Sequence, residues 1–438
     1  MQYTLSTLAL LLFISLTACL CGCRTARYHE DLPWTENYNE KAIPPLALPD
    51  PLKCEDGRVI KTAEEWNKFR RPELMELFQK HFYGKILPMP AKTEYLVLSD
   101  KPDDFDGLAR RREIKIIFHG ENGISHEVIA LLYTPNNAKG KVPLFAGVHF
   151  AGNHAVTTDP EITATGLRFP RTRQECQEWE GRRGKLSGNY FAKLLVSRGY
   201  ALVSCCYHDI FPDRIDGWKD SVFRLFATEQ ELQQRLPGYS SIGAWSWGIS
   251  RLIDCALTFP EIDASKIACF GHSRLGKTSL WEGACDERIG LVCVNDSGCG
   301  GAAPSRRLIG ETLFSMCHCN VFGQYWFTDE VSKNCLHPER YPMDQHEAIA
   351  LVAPRAIAIH SATEDIWADP KGEYLSAYYA GPVFKLFGKK GLESREQPPA
   401  DTPVGDTVSY LFRTGRHSLH QKDWEHYLDV ADKLFFKK

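Results

Sequence analysis

The stretch "CFGHSRLGKTSLWEG", residues 269–283, contains a serine, Ser273, that could act as a nucleophile. Gly271 stands two places before Ser273, after an apolar run, as in the nucleophile elbow G-x-S-x-G of a strand-to-helix turn. Leu275 takes the place of the second glycine, which comes one residue later, and Arg274 follows the serine directly. Because serine is also a favoured helix N-cap, this stretch alone leaves a nucleophile and a cap as alternatives.

A nucleophilic serine needs a base, and the base needs an acid to orient it. In serine hydrolases whose nucleophile lies on such an elbow, the order along the chain is serine, acid, histidine. The last predicted strand, "VSYLFRTG", is followed by His417, and we predict that this histidine is the base. His420 and His426 are the alternatives, but both fall within the pattern of the final helix.

Two aspartates could orient the histidine. Asp296 follows the predicted strand "LVCVN", and Asp365 follows the predicted strand "RAIAIHS". The position after the penultimate core strand is the commoner one for the acid, which favours Asp365. Turn capping and solvation, the usual work of loop aspartates, are the alternative for either residue.

Two cations, Arg274 and Lys277, follow the serine at the start of the predicted helix. Cations beside a nucleophile favour an anionic substrate or a strongly stabilised oxyanion. Ordinary surface charge is the alternative, although cations at a helix start oppose the helix dipole. Further polar side chains, Glu311 and Trp367, stand near the other candidates in the sequence.

The elements that must position these residues are predicted from hydropathy. Apolar strands ("VPLFAGVHF", "ALVSCCY", "KIACFG", "LVCVN", "RAIAIHS") alternate with helical stretches ("GISRLIDCALTFP", "RLGKTSLWEGAC", "QKDWEHYLDVADKLFF"). This alternation predicts an α/β protein: a doubly wound, mostly parallel sheet in a three-layer sandwich. Ligands of such sheets bind beyond the carboxyl ends of the strands, where the candidate residues follow.

Composition narrows the class of protein. The chain has 438 residues and a net charge of −3, so no basic excess indicates a nucleic-acid partner. Residues 5–20 are almost all apolar or small and carry no charge, as in a secretory signal, and the segment ending at Cys19 resembles a bacterial lipobox. We therefore expect an exported protein with a lipid anchor at Cys19 as its membrane contact; plain secretion is the alternative.

Cysteine is frequent, with 15 residues in the chain. Several lie in apolar runs, where cysteine acts as a small buried hydrophobe: Cys205, Cys206, Cys255, Cys269 and Cys293. The sequence has no C-x-x-C pair and no histidine cluster at metal spacing, so we expect neither a metal nor another cofactor.

Four blocks in order resemble the glucuronoyl esterases, carbohydrate esterase family fifteen. "GHSRLGK" resembles that family's serine signature, and "NDSGCGGAAPSRR" resembles its N-E-S-G-x-G-G-A-A block. "DQHEAIALVAPRAIAIHSATEDIWADPKGEYLSA" and "TGRHSLHQKDW" resemble the stretches around its seventh strand and its catalytic histidine. The resemblance covers residues 60–438 and implies an α/β-hydrolase that needs no metal and cleaves glucuronate esters linking xylan to lignin.

The resemblance also implies roles for single residues. Ser273 would be the nucleophile and His417 the base, and Arg274 would stabilise the oxyanion. The residues implied to contact the uronate sugar are Lys277, Glu311 and Trp367. The family usually has glutamate where this chain has Asp296, one methylene shorter, so the acid stays open between Asp296, Asp365 and a network of both.

The sequence thus predicts a signal segment (1–23), an extended arm (24–60) and one catalytic domain (61–438), in a protein that we expect to be a monomer. The leading hypothesis for its function is a serine esterase acting on glucuronate esters of glucuronoxylan. An acetyl-xylan or other carbohydrate esterase of the same fold is the second hypothesis. A surface lipoprotein that binds glycan without turning it over is the third.

Overall fold

The computed structural model describes residues 37–43, 45–166 and 173–436 of the chain. The predicted signal segment and Cys19 lie outside these residues. In the part of the chain that the structure describes, no helix has the length and apolar character needed to cross a membrane.

Ten strands form one sheet within the described residues. They are β1 (Lys92–Asp104), β2 (Ala109–His119), β3 (Ser125–Pro135), β4 (Val142–His149), β5 (Ala201–Cys206), β6 (Ile262–His272), β7 (Ile289–Asn295), β8 (Ala356–Ala362), β9 (Val404–Gly405) and β10 (Val408–Arg413). Their order across the sheet is β1-β2-β3-β5-β4-β6-β7-β8-β10-β9. Six neighbouring strands, β5, β4, β6, β7, β8 and β10, are parallel. Strands β1, β2, β3 and β9 pair antiparallel at the two sides of the sheet. This architecture is the predicted α/β-hydrolase fold.

The α-helices are Ala63–Glu65, Arg71–Phe78, Arg173–Glu180, Ala192–Ser197, Glu229–Leu232, Ser241–Ala256, Arg274–Cys285, Gly323–Trp326, Asp329–Asn334, Gln345–Ala350, Pro370–Leu386 and Gln421–Phe435. Turns of 3₁₀ helix are Glu40–Ala42, Asn153–Ala155, Tyr207–Asp209, Gly217–Asp220, Val222–Leu225, Pro338–Arg340 and Ile366–Ala368. Turns of π helix are Trp66–Arg70, Gln79–Tyr83 and Ser315–Cys319.

Helices cover both faces of the parallel strands. Along β6, Ile267 and Cys269 pack toward the face of helix Ser241–Ala256, whereas Ala268 and Phe270 pack toward helix Gln421–Phe435. Apolar residues on both sides of a strand are required when both faces of the sheet are buried. The five cysteines of the apolar runs are fully buried, as predicted.

The predicted strands and the long helices are confirmed, but β1 and β2 are absent from the sequence-based prediction. Both strands carry many charged residues, as in "ARRREIKIIFH", and β1 lies at the solvated edge of the sheet. Their alternation is therefore interrupted, although each still pairs along most of its length.

The described part of the predicted N-terminal arm contacts residues later in the chain. The backbone carbonyl of Asn37 accepts a hydrogen bond from Gly310 N–H (2.8 Å), and that of Ala47 accepts one from Arg306 (2.9 Å). Gly310 directly precedes Glu311, so the arm passes beside one of the predicted sugar-binding residues.

Candidate active site

Four adjacent strands each supply one candidate catalytic residue at the carboxyl end. Ser273 follows β6, Asp296 follows β7, Asp365 follows β8 by three residues, and His417 follows β10 by four. Carboxyl ends of parallel strands meet at one edge of the sheet, where ligands of α/β proteins bind. Residues spread over 145 positions of the chain, from Ser273 to His417, therefore come together at this edge of the sheet.

The turn that carries Ser273 has the sharp conformation of a nucleophile elbow. Its φ of 58° and ψ of −129° lie outside the regions that a non-glycine residue favours. Such a conformation costs about 1–3 kcal/mol and persists only where the surroundings enforce it. Here Ser273 N–H donates to Asn295 O (2.8 Å), and helix Arg274–Cys285 begins at the next residue without a side-chain cap from the serine.

The two glycines of the stretch have separate steric tasks. A Cβ at Gly271 would overlap the carbonyl group of Leu275, so the elbow closes only around glycine. A Cβ at Gly276 would come within 3.0 Å of Asn295 O and of Ser297 Cβ. The late glycine thus lets the helix start pack closely on the turn after β7.

His417 is held by Asp365. The distance between His417 Nδ1 and Asp365 Oδ2 is 2.5 Å. A carboxylate oxygen of Asp296 also lies nearby, because one ligand atom from each of Asp296, Asp365 and His417 falls within 4.8 Å of the others. The imidazole is 39% exposed whereas the Asp365 side chain is 4% exposed, so the pair faces solvent through the histidine.

Asp296 has a different environment from Asp365. Its Oδ2 accepts hydrogen bonds from Ser418 N–H (3.3 Å) and from Arg413 (3.4 Å), and its Oδ1 is buried without a hydrogen-bond donor among the described residues. Burial, with repulsion from Asp365, raises the pKa of Asp296 well above its usual range. This residue is therefore poorly suited to carry the negative charge that pairs with an imidazolium.

The ring of His272 lies close to that of His417. The imidazole rings of His272 and His417 have centroids 4.5 Å apart, and His272 directly precedes Ser273. Burial lowers the pKa of His272 to about 3, and its Nδ1 lies 2.6 Å from Asn295 Oδ1. In the described part of the chain Ser273 and His417 share no direct hydrogen bond, a contact that is often long before substrate binds.

The alternative histidines have other partners. His420 caps the final helix, where its Nδ1 accepts from Lys422 N–H (3.5 Å). His426 Nδ1 lies 2.7 Å from Nε2 of His360, a buried residue of β8. Neither ring contacts Asp296 or Asp365 as His417 does.

The predicted sugar-binding residues lie together. Lys277 is buried, and its ammonium donates to Ser297 O (2.6 Å), Cys299 O (2.7 Å) and Glu311 Oε2 (2.6 Å). These contacts occupy all three N–H groups of the lysine. Glu311 N–H in turn donates to Trp367 O (2.7 Å), so this hydrogen bond joins the segments that carry Glu311 and Trp367.

The Arg274 side chain lies in an aromatic region. Its guanidinium forms an ion pair with Asp213 and lies 4.6 Å from the ring centroid of Trp326 and 5.4 Å from that of Phe322. The Asp213 carboxylate thus neutralises the charge of Arg274, and aromatic rings pack against its guanidinium. The Arg274 backbone N–H remains at the helix N-terminus next to the serine, where oxyanions bind.

Sequence reasoning missed a buried acid, Glu373, that supports the site. Its carboxylate accepts from Ser297 N–H (2.8 Å), Ser297 Oγ (2.6 Å), Gly298 N–H (3.0 Å) and Ser361 Oγ (2.5 Å). Burial raises the pKa of Glu373 to about 7. The residue fixes the turn that follows Asp296, but the sequence carries no distinct signal for it, because helix Pro370–Leu386 also contains the charged residues Lys371 and Lys385.

Comparison with known proteins identifies the relatives of this chain. Residues 197–388 match the family described as "Glucuronyl esterase, fungi". The chain is 37% identical over 407 residues to carbohydrate esterase MZ0003 from an unknown prokaryotic organism, covering 90% of this chain and 91% of that one. It also resembles the solved structure of a glucuronoyl esterase from Solibacter usitatus, with 34% identity, a TM-score of 0.82, and coverage of 91% of this chain and 100% of the other.

A third relative carries the family designation itself. The solved structure of a promiscuous CE15 esterase from a marine bacterial metagenome is 37% identical, with a TM-score of 0.79, over 91% of this chain and 99% of the other. The chain belongs to the glucuronoyl esterase family, carbohydrate esterase family 15. This glucuronoyl esterase family member is therefore a carboxylic ester hydrolase with the α/β-hydrolase fold.

More distant relatives share the family. The 4-O-methyl-glucuronoyl methylesterase of Phanerochaete carnosa is 23% identical over 348 residues, which are 78% of this chain and 72% of that protein. The fold is also that of a glucuronoyl esterase from Sporotrichum thermophile solved in complex with methyl 4-O-methyl-beta-D-glucopyranuronate, at 18% identity and a TM-score of 0.60, over 89% of this chain and 88% of the other.

Proposed function

We propose that the protein is a serine esterase that hydrolyses esters of 4-O-methyl-glucuronic acid or glucuronic acid. The observation that carries this proposal is the elbow serine, Ser273, at the same sheet edge as the His417–Asp365 pair (2.5 Å). Relatives named glucuronoyl esterases and 4-O-methyl-glucuronoyl methylesterases support the choice of a uronate ester.

The reaction begins with proton transfer and attack. With Nδ1 hydrogen-bonded to Asp365, His417 presents Nε2 to the serine and takes the proton of Ser273 as its oxygen attacks the ester carbonyl. Arg274 stabilises the oxyanion through its backbone N–H, at the start of the helix, and through its side chain. The protonated His417 then gives its proton to the leaving alcohol, and water hydrolyses the glucuronoyl-serine by the same steps.

We assign the acid of the triad to Asp365. The short hydrogen bond to His417 supports this choice, and so does the raised pKa of Asp296, which disfavours its carboxylate. Asp296 is then a neutral support for the loop that carries the histidine, through Ser418 N–H and Arg413. The shorter side chain at 296 costs little when the charge resides on Asp365.

The uronate sugar binds beside Lys277 in this proposal. Because its three N–H groups are occupied, Lys277 acts on the sugar chiefly through Glu311, which it orients. Glu311 accepts hydrogen bonds from sugar hydroxyls, and the indole edge of Trp367, which is half-buried, donates one.

The biological substrate in this proposal is glucuronoxylan, with the ester links that join it to lignin. We further propose that residues 1–23 export the protein, that Cys19 carries a lipid, and that residues 61–438 act as one monomeric catalytic domain after the arm 24–60. An acetyl esterase of the same fold is the competing function.

Kinetics on matched esters test the proposal. We expect kcat/KM for methyl or benzyl glucuronate to exceed that for acetylated xylan or nitrophenyl acetate, and a chelator to leave the rate unchanged. Ser273→Ala should abolish hydrolysis of the glucuronate esters. Acetyl esters as the faster substrates would favour the competing function, and near-full activity of Ser273→Ala would refute the serine mechanism.

A further inference from the structure

A buried carboxylate, Asp213, pairs with Arg274, the residue that follows the proposed nucleophile. Its Oδ1 accepts from Tyr325 OH (2.9 Å) and from Trp326 Nε1–H (2.8 Å). Its Oδ2 accepts from Tyr207 OH (2.8 Å) and from the Arg274 guanidinium. Its side chain is 4% exposed, so protein donors take the place of water around this carboxylate.

The four donors come from three separate parts of the chain. Tyr207 directly follows β5, Arg274 begins the helix after the nucleophile, and the last two residues belong to helix Gly323–Trp326. Burial opposes ionisation of Asp213, but the Arg274 cation and the hydrogen bonds from Trp326 and Tyr207 lower its pKa below the ordinary value. The group is thus an anion that joins three segments at one point.

Aromatic rings alone would not fix the guanidinium. The Arg274 guanidinium lies 4.6 Å from the ring centroid of Trp326, 5.4 Å from that of Phe322 and 5.7 Å from that of Phe150. Ring faces attract a cation but set its direction only loosely, whereas a hydrogen bond to a carboxylate sets both distance and angle. The carboxylate therefore selects one orientation of the arginine among those that the rings permit.

We propose that Asp213 is a positioning residue that fixes the Arg274 side chain beside Ser273 in the geometry that stabilises the oxyanion. The proposal rests on the function proposed above. Asp213 acts through the arginine and touches neither the ester nor the serine. The tyrosine and tryptophan donors hold the carboxylate in turn, so that the guanidinium is oriented before substrate arrives.

The test is a double-mutant cycle on hydrolysis of benzyl glucuronate. We expect Asp213→Asn to lower kcat by about 10- to 100-fold, less than the roughly 10²- to 10³-fold that loss of an oxyanion donor costs, and to leave KM nearly unchanged. In an Arg274→Ala background the same substitution should cost less than about twofold, because the group that it positions is gone.

Asp432→Asn is the matched control. Asp432 also binds an arginine and a tyrosine, Arg198 (2.5 Å) and Tyr200 OH (2.6 Å), but it lies on the final helix. We expect this variant to change the melting temperature and leave kcat unaltered. If Asp213→Asn does not fold, Tyr325→Phe removes one donor to the same carboxylate, and its smaller loss in kcat should also vanish in the Arg274→Ala background.

Two results would overturn the proposal: wild-type kcat in a folded Asp213→Asn, or an equal loss with and without Arg274, which indicates a purely structural role. Failure of the proposed function is distinguishable. In that case Ser273→Ala keeps its activity, whereas failure of this inference alone leaves Ser273→Ala inactive and gives one of the two results above for Asp213→Asn.

Discussion

The two aspartates near His417 should respond very differently to the same substitution. Asp365→Asn replaces the carboxylate that lies 2.5 Å from His417 Nδ1 with an amide, which cannot stabilise the imidazolium and favours the wrong tautomer. In a serine triad this loss lowers kcat about 10⁴-fold, or about 5 kcal/mol of transition-state stabilisation. We expect a loss of this order in kcat on benzyl glucuronate, with little change in KM.

Asp296→Asn should be mild by comparison. Because burial and the Asp365 charge raise the pKa of Asp296, the wild-type group is close to a neutral amide in charge and size. The asparagine oxygen can still accept from Ser418 N–H and Arg413. We expect less than about a tenfold loss in kcat, well short of the loss that follows removal of a triad acid.

Steady-state kinetics on both variants decide the assignment. Asp263→Asn serves as the control, because this carboxylate lies near the amino end of β6, opposite the serine, where it binds Ser265. A loss for Asp296→Asn equal to or larger than that for Asp365→Asn would refute the reasoning and transfer the acid role to Asp296. Large losses in both variants would show that the two carboxyl groups act as one network.

Two further predictions concern buried charges. Lys277→Met leaves Glu311 without its cation, and loss of one partner of a buried ion pair costs about 3–5 kcal/mol. We expect this variant to have a lower melting temperature, which Glu311→Gln in the same chain partly restores without recovery of activity. A melting temperature that Glu311→Gln does not restore would contradict the ion-pair argument. Glu373 has a folded-state pKa of about 7 against an ordinary 4.5, so its contribution to stability is complete below pH 4.5 and is lost as pH rises through 7. Glu373→Gln should therefore gain stability relative to wild type between pH 5 and pH 9, by about 3 kcal/mol at 1.36 kcal/mol per pKa unit, in denaturant melts with the exposed Glu425→Gln as control; a difference that does not vary with pH would contradict the ionisation argument.

The sequence predicts the parallel part of the fold well because each central strand is apolar on both faces. The candidate nucleophile and base could be proposed from the sequence for the same reason: Ser273 directly follows β6, and His417 follows β10 by four residues. Strands β1 and β2 could not be predicted in this way, because charged side chains interrupt the alternation on which the prediction depends, on the solvated edge strand β1 and on its neighbour β2.

The choice of the triad acid and the partner of Arg274 depend on distances that cannot be predicted from the sequence alone. Asp296 and Asp365 each follow a core strand, and only the positions of His417 Nδ1 and the buried Asp296 side chain separate them. Similarly, the sequence shows Arg274 beside the serine but gives no sign that Asp213, 61 residues earlier, lies against it.

A covalent intermediate on Ser273 is the central claim, and rapid acid quench during turnover of benzyl glucuronate tests it most directly. Peptide mapping of the quenched protein by mass spectrometry locates any added group. The account predicts a glucuronoyl group on the peptide that contains Ser273, which Ser273→Ala lacks together with all hydrolysis. Hydrolysis by Ser273→Ala, or a glucuronoyl group on another residue, would contradict the account.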